Sequence, residues 1–122
     1  MTKILVIEDE QSVRENLLEL LEVEEFETLE AENGSIGLYL AQQQHPNLIL
    51  CDVLMPELDG YGVLKALRSN DVTATIPFMF LTAKVMKTDV SQGIELGANA
   101  YLTKPFTIRE LLEAIAQALP QV

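Results

Sequence analysis

Cysteine, histidine and basic side chains are scarce in this 122-residue chain, and each scarcity removes a class of chemistry. The lone cysteine, Cys51, rules out an internal disulfide and fits a reducing cytoplasm. Zinc would want histidine or cysteine ligands, and the only histidine, His45, reads as a helix-end residue before Pro46, away from the other candidate ligands. Eight Lys and Arg against nineteen Asp and Glu leave a net charge of −11, which argues against direct binding to nucleic acid. No apolar run approaches the roughly 20 residues that span a bilayer, so no membrane association is expected. Ile4 to Ile7, after Lys3, is too short for a secretory signal. No repeat, low-complexity tract or Pro/Ser/Gly-rich linker divides the chain. Residues 1–122 therefore read as one domain, long enough at 48% apolar content to bury a core without disulfide or structural metal.

What is present is a set of short apolar runs, each ending in a chemically pointed residue. Ile4 to Ile7 leads into Glu8-Asp9, Leu48 to Cys51 into Asp52, and Phe78 to Leu81 into Thr82-Ala83. Ala100 to Leu102 leads through Thr103 into Lys104-Pro105. Runs of this length bounded by polar residues read as buried strands of a parallel sheet. Phe26 to Ala31 is a weaker strand that alternates apolar with acidic residues.

Helical patterns fill the gaps. Val13, Leu17, Leu20 and Leu21 form one stripe, with Ser12 and Glu15 at capping-box spacing. Ile36, Leu40 and Ala41 mark a second helix, stopping by His45-Pro46, and Asp59-Gly60 opens a third with Val63, Leu64 and Leu67. Val90 and Ile94 predict a fourth, closed by Gly97. Thr107 and Glu110 start a fifth, with Leu111, Leu112, Ile115 and Leu119 facing inward. Most acids, such as Glu15, Glu19 and Glu22, fall on outer helix faces, and Met55, Met79 and Met86 read as gap fillers.

Strands alternating with helices predict an α/β fold: a doubly wound, five-stranded parallel sheet with helices on both faces. The runs at Ile4, Leu48 and Phe78 are apolar on both faces and belong in the centre; those at Phe26 and Ala100 suit the edges. Among the doubly wound orders this favours 2-1-3-4-5, the flavodoxin-like arrangement, with a crevice beside the ends of the first and third strands. Asp9 and Asp52 sit there. Two unit charges about 4 Å apart repel by roughly 4 kcal/mol at an effective dielectric near 20. A carboxylate cluster so placed holds a cation or shares a proton, and an all-oxygen ligand set favours Mg²⁺, or Mn²⁺, over zinc.

The same residues resemble the receiver domains of two-component response regulators over essentially the whole chain. The resemblance rests on Glu8-Asp9, on Asp52-Val-Leu-Met-Pro56 leading to Asp59-Gly60, and on Thr82-Ala83. It continues through Gly97-Ala98, Tyr101 and Lys104-Pro105-Phe106. Each piece is weak alone; all of them, in this order, are specific.

The resemblance implies that Asp52 accepts a phosphoryl group from a phosphohistidine on a sensor histidine kinase or histidine phosphotransfer protein. It implies Mg²⁺ held by Asp9, Asp52 and the backbone carbonyl of Leu54, with Glu8 acting through water. Lys104 would neutralise one phosphoryl oxygen, while the Thr82 hydroxyl and Ala83 amide bind others. A cis bond at Lys104-Pro105 is implied as well. Output would follow from inward movement of Thr82 and Tyr101, altering the surface of the fourth helix, fifth strand and fifth helix toward an unknown effector domain or protein. Such a protein is a cytoplasmic receiver that promotes its own phosphorylation and dephosphorylation, not a turnover enzyme.

Some positions depart from the family pattern. Leu54 and Lys84 occupy two variable places flanking the acceptor that bear on acyl-phosphate lifetime. In the winged-helix branch, an acid on the fifth strand and an Arg on the fifth helix support a dimer; here those places hold Asn99 or Ala100, and Ala114. That disfavours this particular dimer and leaves homodimerisation open. A phosphorylation-independent interaction module of the same shape is the alternative, and it would have lost Asp52 or Lys104. An aspartate-nucleophile hydrolase wants a second acid where Leu54 stands. A flavin carrier wants a hydroxyl- and Gly-rich loop where Glu8-Asp-Glu10 stands. The chain ends at Pro120-Gln-Val122, and no effector domain is expected within these residues.

Overall fold

A computed structural model describes residues 1–83 and 95–120. Five strands, β1 (Lys3–Ile7), β2 (Glu27–Ala31), β3 (Leu48–Cys51), β4 (Phe78–Thr82) and β5 (Ala100–Thr103), form one sheet in the order β2-β1-β3-β4-β5. Every pairing is parallel. This is the flavodoxin-like order expected, and its cause is visible in burial. All residues of β3 and β4 are buried, whereas edge strand β2 exposes Glu27 and Glu30.

Four helices lie among the described residues: α1 (Gln11–Val23), α2 (Gly34–Gln44), α3 (Gly60–Arg68) and α4 (Ile108–Ala118). The helix expected over Val90 and Ile94 falls outside the described residues, as do Lys84 and Met86. The capping-box segment at Thr107 is therefore α4 here. Successive strand residues point to opposite faces, and this splits the core in two. Leu5, Ile7, Ile49, Phe78 and Phe80 meet Ala41, Val63, Leu64 and Leu67 from α2 and α3. Ile4, Val6, Leu50, Met79 and Leu81 meet Leu17, Leu21, Leu111 and Ile115 from α1 and α4.

Helix starts differ from one another. Asp59 caps α3 by accepting from the Gly62 amide at 2.8 Å. Thr107 and Glu110 form a true capping box on α4, at 3.1 and 2.9 Å. The capping box expected at Ser12 and Glu15 does not form. Glu10 takes the extended N-cap conformation, so α1 begins at Gln11 and Ser12 lies inside its first turn, leaving no side-chain cap. The α1 stripe also shifts, burying Arg14 and Leu18 and leaving Leu20 half-buried. In α2, Ile36 turns outward while Gly34, Gly37 and Ala41 face the core. A Cβ on Gly37 would lie 2.4 Å from Ile7 Cδ1, so α2 approaches β1 more closely than a side chain permits.

At the far end of the sheet, Arg68 ties α3 to β4 and β5. Its guanidinium donates to Ile76 O at 2.7 Å, Gly97 O at 2.9 Å and Asn99 Oδ1 at 3.2 Å. Asn99 Oδ1 also accepts from the Phe78 amide at 2.9 Å. His45, left-handed at φ 46°, closes α2 at this same end, lining a hollow of about 580 Å³ with Pro46 and Asn47. That places it at the pole opposite the carboxylates.

Candidate functional site

The carboxyl ends of β1, β3, β4 and β5 converge on one crevice. β1 hands over to Glu8, whose amide donates to Ala31 O at 3.1 Å, extending the ladder one residue past the strand. Glu8 is buried at 2% exposure, and the next residue, Asp9, is exposed. The Glu10 amide turns back onto Glu8 Oε2 at 3.2 Å.

Asp52 follows β3 and is fixed through its own amide, which donates to Ile7 O at 3.1 Å. Its Oδ1 accepts from the Leu54 amide at 3.3 Å. Val53 and Met55 are buried and anchor this loop, so Leu54 between them projects outward at 61% exposure. Gly60 seals the loop from behind, donating to Val53 O at 2.9 Å. A Cβ there would lie 2.3 Å from Asp52 O, a contact only glycine allows.

β4 ends in Thr82, fully buried, followed by exposed Ala83. The Lys104 amide donates to Thr82 O at 2.9 Å, and the Lys104-Pro105 bond is cis, as expected. The Lys104 ammonium then reaches over the crevice to Glu8 Oε1 at 3.0 Å and Asp52 Oδ2 at 3.6 Å. Tyr101, on β5, is half-buried with its ring centroid 5.5 Å from that of Phe80.

Among the described residues the site carries surplus negative charge. Oxygens of Glu8, Asp9 and Asp52 lie within 4.8 Å of one another, and one ammonium serves two of the three acids. Burial pushes the Glu8 carboxyl from 4.5 up to about 7, against the lowering effect of its Lys104 hydrogen bond and with help from the Asp52 charge. The Cys51 thiol beneath is pushed well up by burial and the neighbouring acids, so it is an inert core group. Three converging hard oxygens with a charge deficit suit a divalent cation.

The sequence-predicted set Glu8, Asp9, Asp52, Leu54, Thr82, Ala83 and Lys104 thus sits at the strand ends around one crevice, with Tyr101 on the flanking strand. Two supports escaped the sequence reading. Gly60 is a helix opener and a family-motif residue in the sequence, with no sign there of its contact with Asp52, and Arg14, whose guanidinium donates to Glu8 O at 2.8 Å, carries no signal beyond its place near an apolar stripe.

A sequence model of the response regulator receiver domain matches residues 4–116. The chain belongs to this family. Among curated relatives of the receiver, a probable transcriptional regulator, ycf27, of Galdieria sulphuraria is 42% identical over 98% of this chain and 46% of its own length. The DNA-binding dual master transcriptional regulator RpaA of Synechocystis is 37% identical over 98% of this chain and 49% of its own. The receiver spans about half the length of these relatives. Among solved structures, the chemotaxis protein CheY4 of Vibrio cholerae superposes with a TM-score of 0.92 at 29% identity, over 98% of this chain and 99% of that one. A putative response regulator from Chloroflexus aurantiacus gives a TM-score of 0.92 at 33% identity, over 98% of each chain. The receiver is a module of two-component signal transduction. No helix among its described residues is long and apolar enough to cross a membrane.

Proposed function

We propose that Asp52 is the phosphoacceptor of this receiver, and that residues 1–122 work as one phosphorylation-controlled domain. The observation that carries this is Asp52 placed with Lys104 Nζ 3.6 Å from Oδ2 and the Glu8 and Asp9 carboxylates alongside. An Asp52 oxygen forms the new P–O bond as the P–N bond of a phosphohistidine breaks, and the bonding pair returns to the imidazole nitrogen. The donor is a sensor histidine kinase or a histidine phosphotransfer protein.

Each neighbour has a part set by its position. Lys104 swings its ammonium from the carboxylates to a phosphoryl oxygen, and the Thr82 hydroxyl and Ala83 amide bind the others. Exposed Ala83 leaves room for the donor. Asp9, Asp52 and the Leu54 carbonyl would hold Mg²⁺ or Mn²⁺, with Glu8 behind them. Bound there, the ion would supply neutralisation of phosphoryl charge. Asp52 is positioned through its own amide and through the Gly60 contact, so the nucleophile is oriented before the donor arrives.

The added dianion draws Thr82 inward and lets Tyr101 follow, and the surface of β5 and α4 changes its affinity for an effector domain or protein. The chain is a cytoplasmic switch that gains and loses one phosphoryl group, not a turnover enzyme.

Incubation with Mg²⁺ and acetyl phosphate, followed by intact-mass measurement, tests the assignment. One added phosphoryl group, labile to hydroxylamine and missing in Asp52→Asn, is the expected result. Full modification of Asp52→Asn would remove Asp52 from its role.

A further inference from the structure

Arg14 is a buried cation on the inner face of α1, at 8% exposure, where arginine seldom sits unless it is fully engaged. Its fork holds two oxygens from different elements: Nη1–H donates to Glu8 O at 2.8 Å, and Nε–H pairs with Glu30 Oε1 on β2 at 3.1 Å. The Glu8 amide is meanwhile held by Ala31 O. Both backbone polar groups of Glu8 are therefore fixed, one by β2 and one by a side chain from α1.

This matters because the Glu8 carbonyl belongs to the planar peptide that leads into Asp9. Fixing that plane fixes the direction in which Asp9 leaves the strand. Among the described residues, no hydrogen bond or ion pair holds the exposed Asp9 carboxylate itself, so its aim depends on the backbone. The start of α1, next along the chain, has no side-chain cap to do this work. Arg14 reaches back from the first turn instead, while its own amide donates to Glu10 O at 2.9 Å.

We propose that Arg14 is a positioning residue, clamping the Glu8-Asp9 turn so that the Glu8, Asp9 and Asp52 carboxylates converge on one divalent cation. The proposal rests on the cation-site reading above. Lysine cannot replace it, because a single ammonium lacks the planar fork that serves two divergent acceptors.

The test is Mn²⁺ affinity, read as loss of the free-ion electron paramagnetic resonance signal, in the wild-type chain, Arg14→Met, Arg14→Lys and Leu111→Ala. Leu111 lies on the buried face of α4, and its truncation lowers stability without touching the turn. Arg14→Met should weaken Mn²⁺ binding about tenfold, the low end of what losing an outer partner of a metal ligand does. Arg14→Lys should lose nearly as much, and Leu111→Ala should keep wild-type affinity despite a lower urea midpoint. Wild-type affinity in Arg14→Met overturns the proposal, as does an equal loss in Leu111→Ala. If Arg14→Met does not fold, Arg14→Lys decides by the same criterion. A wild-type chain that binds no Mn²⁺ ends both this proposal and the cation-site reading; binding that survives loss of the fork ends this proposal alone.

Discussion

Lys104 and Glu8 stand 96 positions apart in the chain, and their charged atoms meet at 3.0 Å. Glu8, not Asp52, is the nearer partner of that lysine. The ammonium is thereby parked on a buried carboxylate, close enough to Asp52, the proposed acceptor, to shift onto an incoming anion. Glu8 sets how firmly it is parked.

Stability should depend on pH through Glu8. Its folded pKa is raised from 4.5 to about 7, chiefly by burial, so the folded state keeps this proton longer than the unfolded chain does. The stabilisation is complete below the unfolded value of 4.5 and is lost as pH rises through about 7. Between about pH 5 and 8 the metal-free wild type should lose on the order of 2–3 kcal/mol relative to Glu8→Gln. Urea midpoints at both pH values check this; parallel pH slopes for the two proteins would mean that Glu8 ionises normally.

Asp9→Asn should separate metal binding from stability. It removes one of three like charges crowded within 4.8 Å, so the metal-free protein should melt higher. Losing a charged oxygen ligand should weaken Mg²⁺ binding by about tenfold or more. Calorimetric titration and thermal melts without metal read the two effects, and a lower melting temperature would contradict the charge argument.

Gly60 and Gly62 should respond differently to alanine although they share a helix turn. At Gly60 the new Cβ would press on Asp52 O and Val53 Cα, backbone atoms that cannot yield. Gly60→Ala should cost about 1–3 kcal/mol and slow phosphoryl uptake by displacing Asp52. At Gly62 the nearest atom is the end of the Leu58 side chain, which can swing away, and alanine adds helix propensity. Denaturation and acetyl phosphate time courses on both variants would show the contrast, and equal behaviour would remove Gly60 from its supporting role.

The Arg68 clasp should be improvable. Arg68→Met abandons three oxygens and should destabilise by about 2–4 kcal/mol. Asn99→Asp keeps the oxygen that serves Arg68 and the Phe78 amide while making the bond charge-assisted, and should stabilise by roughly 0.5–1.5 kcal/mol at neutral pH. That gain should vanish in the Arg68→Met background, which a double-mutant cycle measures directly.

The sheet was legible because its central strands are apolar on both faces, and an alternating run such as β2 can only serve an edge. The site was legible because chemistry-bearing residues stand immediately after each apolar run, so a parallel sheet must gather them. Helix beginnings were less so. The same Ser/Thr-to-Glu spacing is a capping box at Thr107 and an accident at Ser12, because spacing does not say where the backbone first turns. Ile36 looked inward because it is apolar, yet the close approach of α2 to β1 gave that place to Gly37. Arg14 and Arg68 were invisible because their partners are mainly carbonyl oxygens of other segments, and carbonyls carry no residue identity.

The acidic margin at β2 has a colloidal consequence. Its outer backbone groups could in principle be zipped onto by a foreign strand, but Glu27 and Glu30 stand exposed along that rim on a polyanion. Those two glutamates are themselves paired with Lys3 and Arg14, so it is the net charge of −11, repelling any second copy, that discourages edge-on ribbon growth into fibrils. Concentrated solutions of this protein should stay clear at low salt and grow turbid only when ionic strength masks that net charge.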